Sequence, residues 1–229
     1  MVSARSRIAF ASGVGGLLGA ALLLSGRFDG SVALALLLAS AARVAAAATL
    51  IDAGPVLAAG AQRSLARHVA FAPAWVLVVA TGVVRAGSAA VSDARGANAV
   101  AGLAIARGET TTVIGVWLAL AAGIIALASR TRIGVELDSG DGRNGRVVVP
   151  ISLDRLEIGA YLAQAALLVT LFAGPQVTGG NDGVSWVLGI AGVAAIGWFA
   201  RDLEVPHAPK IAAGLAAIGL VLAIAGGAP

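Results

Sequence analysis

Seven apolar runs, broken by charged or turn-rich segments, constrain this chain more than any other feature. They cover residues 8–24, 32–51, 69–84, 112–128, 158–173, 184–200 and 211–226. Each is close to the roughly 20 residues that an α-helix needs to cross a bilayer. In hydrocarbon, every backbone N–H and C=O must be satisfied within the segment or its closed sheet, so runs of this kind read as helices. The expected fold is all-α: a polytopic transmembrane bundle of about seven helices, forming one integral membrane domain over residues 1–229. Composition agrees, since 59% of residues are hydrophobic and 12% charged. That is too little charge to cover a soluble surface and too little polarity for a disordered chain. The first run follows Arg5 and Arg7, as a signal peptide would. No small-residue cleavage site precedes a polar mature start, so it is read as a span. The stretch Ala99 to Ala106 is apolar but too short to cross, and is expected to be interfacial or re-entrant.

Charge placement sets the orientation. Of 16 Lys and Arg, only Arg43 falls within a span. With the N-terminus in the cytoplasm, Arg5, Arg7, Arg63, Arg67, Arg130, Arg132, Arg143, Arg146, Arg155, Arg201 and Lys210 lie on the cytoplasmic side. Arg27, Arg85, Arg95 and Arg107 lie opposite. This asymmetry is the positive-inside pattern, and it accounts for the basic balance without nucleic acid. The Ala, Gly, Val and Arg bias suits a high-GC bacterial genome, hence a bacterial inner membrane. The longest polar stretch, the cytoplasmic loop 129–157, holds five Arg and five acidic residues from Arg130 to Glu157. It is a candidate docking surface, and equally a solvated loop.

Several chemistries are excluded. With no Cys, disulfides, iron–sulfur ligation and thiolate zinc sites are ruled out. His68 and His207, the only two His, sit at expected membrane edges and do not suit a haem pair. Neither a hydrolytic triad nor a calcium loop is present: DSGDGRNG (138–145) lacks the spacing and the distal Glu. A proton pump needs buried titratable groups along its path. No Asp or Glu lies deep in a run, and Glu109 and Glu157 fall at helix ends. Arg43 is the exception among charges. An Arg at the bilayer centre costs about 2.5–3.5 kcal/mol on insertion scales, so it is expected to face the bundle interior toward a partner. Asp52, nine residues on, is about 13 Å away along a helix and is not that partner. In SGVGGLLGA, Gly15 and Gly19 form a small-xxx-small pair expected to let two helices approach closely.

The motifs from Val32 onward resemble one family. Ala42–Arg43, the turn Asp52-x-Gly54, a small-residue connection through Gly60 to Arg63, and Pro73 before an apolar helix (74–84) occur in its order and spacing, with one residue missing before Gly60 and Arg63. RIGVELD, Arg132 to Asp138 with Glu136 between, resembles the family's loop of Lys-x-Pro-Phe-Asp character. SLDRLEIGAYLAQAALLVTLFAGP resembles the helix after it. WFARDLEVPHAPK, with Arg201 at an Ala-Arg step, resembles its C-terminal helix pair. The family is formate hydrogenlyase subunit 4, the hydrogenase-4 membrane subunit, related to NADH dehydrogenase subunit 1 of respiratory complex I.

The resemblance implies a shortened, divergent membrane subunit of a complex I-like respiratory assembly, with no cofactor in this chain. Iron–sulfur clusters, and a nickel–iron site or quinone, would belong to partner subunits. The chain would anchor a hydrophilic iron–sulfur, hydrogenase-like module and join it to antiporter-like, ion-translocating subunits. It would not itself be catalytic. Arg43 would hold the bundle interior. Asp52, Gly54 and Arg63 would shape a cytoplasmic loop, with Pro73, Arg132, Glu136, Asp138 and Arg201 as further structural or docking candidates. The departures fall on carboxylates: Ser64 and Ala72 stand where the family has Glu, no Glu occurs among 196–199, and the acidic loop is reduced to Glu136, Asp138 and Asp141. Their loss counts against proton coupling through this chain. The alternative reading is a stand-alone small-solute transporter or permease, although no internal repeat supports it.

Overall fold

The computed structural model describes residues 4–25, 28, 30–51, 55–94, 110–129, 151–172, 182–200 and 206–226. The described residues form an all-α structure with α1 (Ala4–Leu24), α2 (Val32–Ile51), α3 (Pro55–Ala86), α4 (Thr110–Ala128), α5 (Ile151–Phe172), α6 (Asp182–Ala200) and α7 (Ala208–Ala225). Six of them are long and apolar enough to cross a membrane; in α6 the apolar stretch Trp186–Ala200 is shorter.

Local chemistry sets the ends. Ser31 caps α2, its Oγ accepting a hydrogen bond from the Leu34 N–H at 3.0 Å, the usual answer to an orphan N-terminal donor. Pro55 opens α3, where its missing N–H costs nothing. Gly87, at φ 64, closes α3 in the left-handed conformation that glycine adopts without strain. A short antiparallel bridge, Ser31 with Ala90, then ties the start of α2 to the segment after α3. At α7, Pro209 sits in the first turn behind His207, itself at φ 56.

Two boundaries differ from the sequence expectation. The third helix starts at Pro55 rather than Val69 and continues through Pro73. The stretch 55–68, expected as a connecting loop, is therefore helical, and Pro73 lies inside a helix rather than before one. At 32 residues, α3 is about 48 Å long, against roughly 30 Å of hydrocarbon, so it reaches beyond the core. Its first half carries Gln62, Arg63, Arg67 and His68, which hydropathy alone cannot mark as helix. Likewise α5 starts at Ile151 rather than Ile158, so Arg155 and Glu157 stand on its first turns instead of in the loop 129–157. Residues 130–150, Ala99 to Ala106 and the DSGDGRNG turn lie outside the described residues.

The helix at the centre is α5, which packs against α1, α2, α3, α4 and α6. Every residue from Gln164 to Phe172 is buried. Peripheral α1 lies on α2 and α5, and α7 lies on α4 and α3. Contacts run antiparallel between α5 and α6: Trp186 Nε1 donates to Thr170 Oγ1 at 3.4 Å, and Tyr161 OH donates to the Ala194 carbonyl at 2.6 Å. One end of the bundle thus gathers the start of α1, the end of α2, the starts of α3 and α5, and the ends of α4 and α6.

Close approach depends on glycine at two crossings. A Cβ at Gly115 of α4 would come within 2.6 Å of the Gly219 carbonyl oxygen of α7, and one at Gly219 within 2.7 Å of the Gly115 oxygen. Backbone meets backbone there, which is how small residues drive helix association in lipid. At the α1–α2 crossing, the expected Gly15/Gly19 pair is replaced by a neighbouring register. A Cβ at Gly16 would lie 2.8 Å from the Leu38 oxygen, one at Gly19 would lie 3.0 Å from the Leu38 side chain, and Gly15 meets nothing within 4 Å. Outward faces are apolar: Trp117, Leu188, Phe199 and Val221 are all exposed, as suits contact with lipid.

Candidate functional site

Arg43 is buried, as expected, at 4% relative exposure. Its Nη2 donates to Ser64 Oγ at 3.2 Å. Ser64, only 1% exposed, stands on the stretch of α3 that the sequence suggests as a connecting loop. Because α3 is helical there, residues 64, 68, 71 and 75 fall on one stripe at three- and four-residue spacing. Ser64 on that stripe meets Arg43 of α2. The contact joins the Ala42–Arg43 segment of α2 to Ser64 on α3 through a hydroxyl.

Beside this contact lies a small cleft lined by Arg43, Arg67, His68, Phe71, Trp75, Ala126 and Ser129. It is built by α2, α3 and the end of α4. Phe71 and Trp75 are buried, Arg67 is exposed and His68 is half-buried. Its depth follows from the sequence, because Arg67 and His68 immediately precede the apolar stretch of α3, and Ser129 immediately follows α4.

The remaining candidates do not gather there. Arg63 is exposed on α3, one turn before Arg67, and Pro73 is exposed on the same helix. Asp52, Gly54, Arg132, Glu136, Asp138 and Arg201 lie outside the described residues. His207 is exposed and is not among the residues that line the cleft. Among the described residues, no group of three His, Asp or Glu is placed to hold a metal ion.

Three polar features were not singled out in the sequence. Arg85, at the far end of α3, is 8% exposed, and its Nη1 donates to the Leu171 carbonyl at 3.5 Å. The Arg67–His68 pair lines the cleft, a signal that becomes readable only once 55–68 is taken as helix. Gln164 of α5 is completely buried, and neither its Nε2 nor its Oε1 has a hydrogen-bond partner. It is the one amide in an otherwise apolar run, YLAQAALL. Burying such a group unsatisfied costs about 1–3 kcal/mol.

Comparison with family models, with curated proteins and with solved structures returns no match. Six apolar helices around a buried, polar-spotted interior fit a multi-pass membrane protein of the all-α class.

Proposed function

We propose that the chain is a membrane subunit of a complex I-like assembly of the formate hydrogenlyase or hydrogenase-4 type. It anchors a hydrophilic redox module to a bacterial inner membrane, with its N-terminus in the cytoplasm, and joins that module to antiporter-like subunits. The clusters and any quinone or nickel–iron chemistry belong to the partners. The observation that carries the reading is the Arg43–Ser64 contact. It brings together two motif segments that the resemblance aligned separately, in the half of the bundle whose end carries the exposed Arg5, Arg7, Arg63, Arg67 and Arg155. A basic end of this kind is the cytoplasmic end by the positive-inside rule. The absence of Asp and Glu from the described buried positions suits an anchoring role rather than a proton path.

The test is a pull-down of the tagged full chain from native membranes in mild detergent, followed by mass spectrometry. Iron–sulfur, hydrogenase-like and antiporter-like subunits in fixed ratio are expected. A chain that runs alone or only with itself would overturn the reading. In the same experiment Arg63→Glu, on an exposed helix face, is expected to release the hydrophilic subunits while the bundle stays folded. Intact co-purification would remove Arg63 from the docking surface.

One observation favours the second reading, a stand-alone small-solute transporter. Gln164 is the kind of interior polar group that a permeation path uses. Uptake by the purified chain alone in vesicles would promote that reading over the first.

A further inference from the structure

We propose that α3 is hinged at Pro73, and that flexing there opens the cleft between α2, α3 and α4 so that water reaches Gln164. Pro73 lies inside a helix of 32 residues. It has no N–H to donate to the Val69 carbonyl, and its ring crowds the preceding turn. Helices bend sharply at such positions. The two halves of α3 are fastened to different neighbours. Before Pro73, Leu57, Ala61 and Leu65 cluster with Ala47 and Leu50 of α2, and Ser64 accepts from Arg43. After it, Gly82 sits against the Leu171 side chain of α5. The joint lies between these attachments.

The cleft lies at the joint. Phe71 and Trp75, two residues to either side of Pro73, line it together with Arg43 of α2 and with Ala126 and Ser129 at the end of α4. As it stands, the cleft has room for about one water molecule.

Helix register puts Gln164 behind this cleft. Gly123 of α4 sits against the Leu168 side chain, as Gly82 of α3 does against Leu171. Gln164 precedes Leu168 by one helical turn and Leu171 by two, on the same face of α5. Because α3 runs parallel to α5 and α4 runs against it, the same steps lead back to Trp75 on α3 and to Leu127 on α4, beside Ala126. Gln164 is completely buried, and neither of its amide atoms has a partner. The closed conformation carries the cost of that unsatisfied amide, and a conformation that admits water relieves it. The proline makes α3 easy to flex, and the amide favours the flexed state. The hinge does not depend on the assembly proposed above.

The test is solvent exchange at the Gln164 side-chain amide, followed by NMR of the isotope-labelled full chain in micelles after transfer to heavy water. The chain has only Gln62, Gln164 and Gln176, and the Gln164 signal is the one lost in Gln164→Leu. Its protons are expected to exchange at least about tenfold faster than the backbone amides of residues 167–169, which open only with α5 itself. Pro73→Ala, at an exposed position, restores the missing donor. It is expected to slow Gln164 exchange about three- to tenfold, the size of one backbone hydrogen bond. The amides of residues 167–169 stay protected if the bundle is intact. Ser129→Trp, half-buried at the cleft, is expected to slow the same exchange by blocking entry. Gln164 exchange as slow as that of the neighbouring backbone amides overturns the proposal. An unchanged rate in Pro73→Ala overturns the hinge, and an unchanged rate in Ser129→Trp overturns the cleft as the route.

Discussion

The α4–α7 crossing and the α2–α3 junction hold the same bundle together by opposite means. At the first, Gly115 and Gly219 bring two backbones together. At the second, a buried guanidinium reaches a buried hydroxyl. Lipid tails are as apolar as leucine, so burying apolar surface gives helices little reason to associate. Close dispersion contact and interhelical hydrogen bonding remain, and this chain uses each in a different place. The first mechanism tolerates no added volume. The second tolerates volume but depends on particular atoms.

That difference can be broken most forcefully at the glycine crossing. Gly115→Leu places a side chain against the Gly219 carbonyl and the Ala223 N–H, and neither can move without moving α7. A destabilisation of about 3 kcal/mol is expected, the upper end for overpacking. Gly214→Leu, on the same α7 with nothing within 4 Å, is expected to change stability by less than about 0.5 kcal/mol. Reversible unfolding of the purified chain in mixed micelles reads both. Equal effects would show that α7 is not seated on α4 through Gly115.

The sequence was legible where hydrocarbon dictates composition. The run 32–51 and helix α2 share both ends, because every residue there must satisfy lipid or core. It was illegible where helix continues outside hydrocarbon. Residues 55–68 carry charge and no long apolar run, so hydropathy read them as loop and hid the partner of Arg43. Arg43 itself stood out as a lone charge. Glycine register was illegible for another reason: with 31 Gly in the chain, Gly15 and Gly16 are equivalent until the facing helix is known. The central helix was misleading in a third way. Among the six candidate spans, α5 is the least apolar and the most buried, because a helix wrapped by protein has little lipid to satisfy. Six of the site candidates, Asp52, Gly54, Arg132, Glu136, Asp138 and Arg201, lie outside the described residues.

Gln164 sharpens the contrast from inside α5. At the α2–α3 junction Arg43 Nη2 donates to Ser64 Oγ, whereas both amide atoms of Gln164 lack a partner. Gln164→Leu keeps similar volume and removes the unsatisfied group. Stabilisation by about 1–2 kcal/mol is expected, the cost of the orphaned amide less an imperfect fit. The same micelle unfolding experiment measures it. A loss of stability would mean that the amide is satisfied in the membrane-embedded chain.

The smallest effect belongs to the polar junction itself. Ser64→Ala removes the hydroxyl that accepts from Arg43 Nη2. In water a bond to a charged group would be worth about 1.5–3 kcal/mol. Interhelical bonds measured inside membranes average nearer 0.6, because the separated helices also find partners. A single-substitution loss of about 1 kcal/mol is therefore expected. The informative quantity is the coupling between Ser64→Ala and Arg43→Met, since Arg43→Met alone also removes the cost of burying a charge and can be neutral or stabilising. A coupling of about 0.5–1 kcal/mol makes the bond an energetic link between α2 and α3. A coupling near zero leaves the junction packed but not bonded. The glycine crossing would then be the sole point of the two at which helix association is specified.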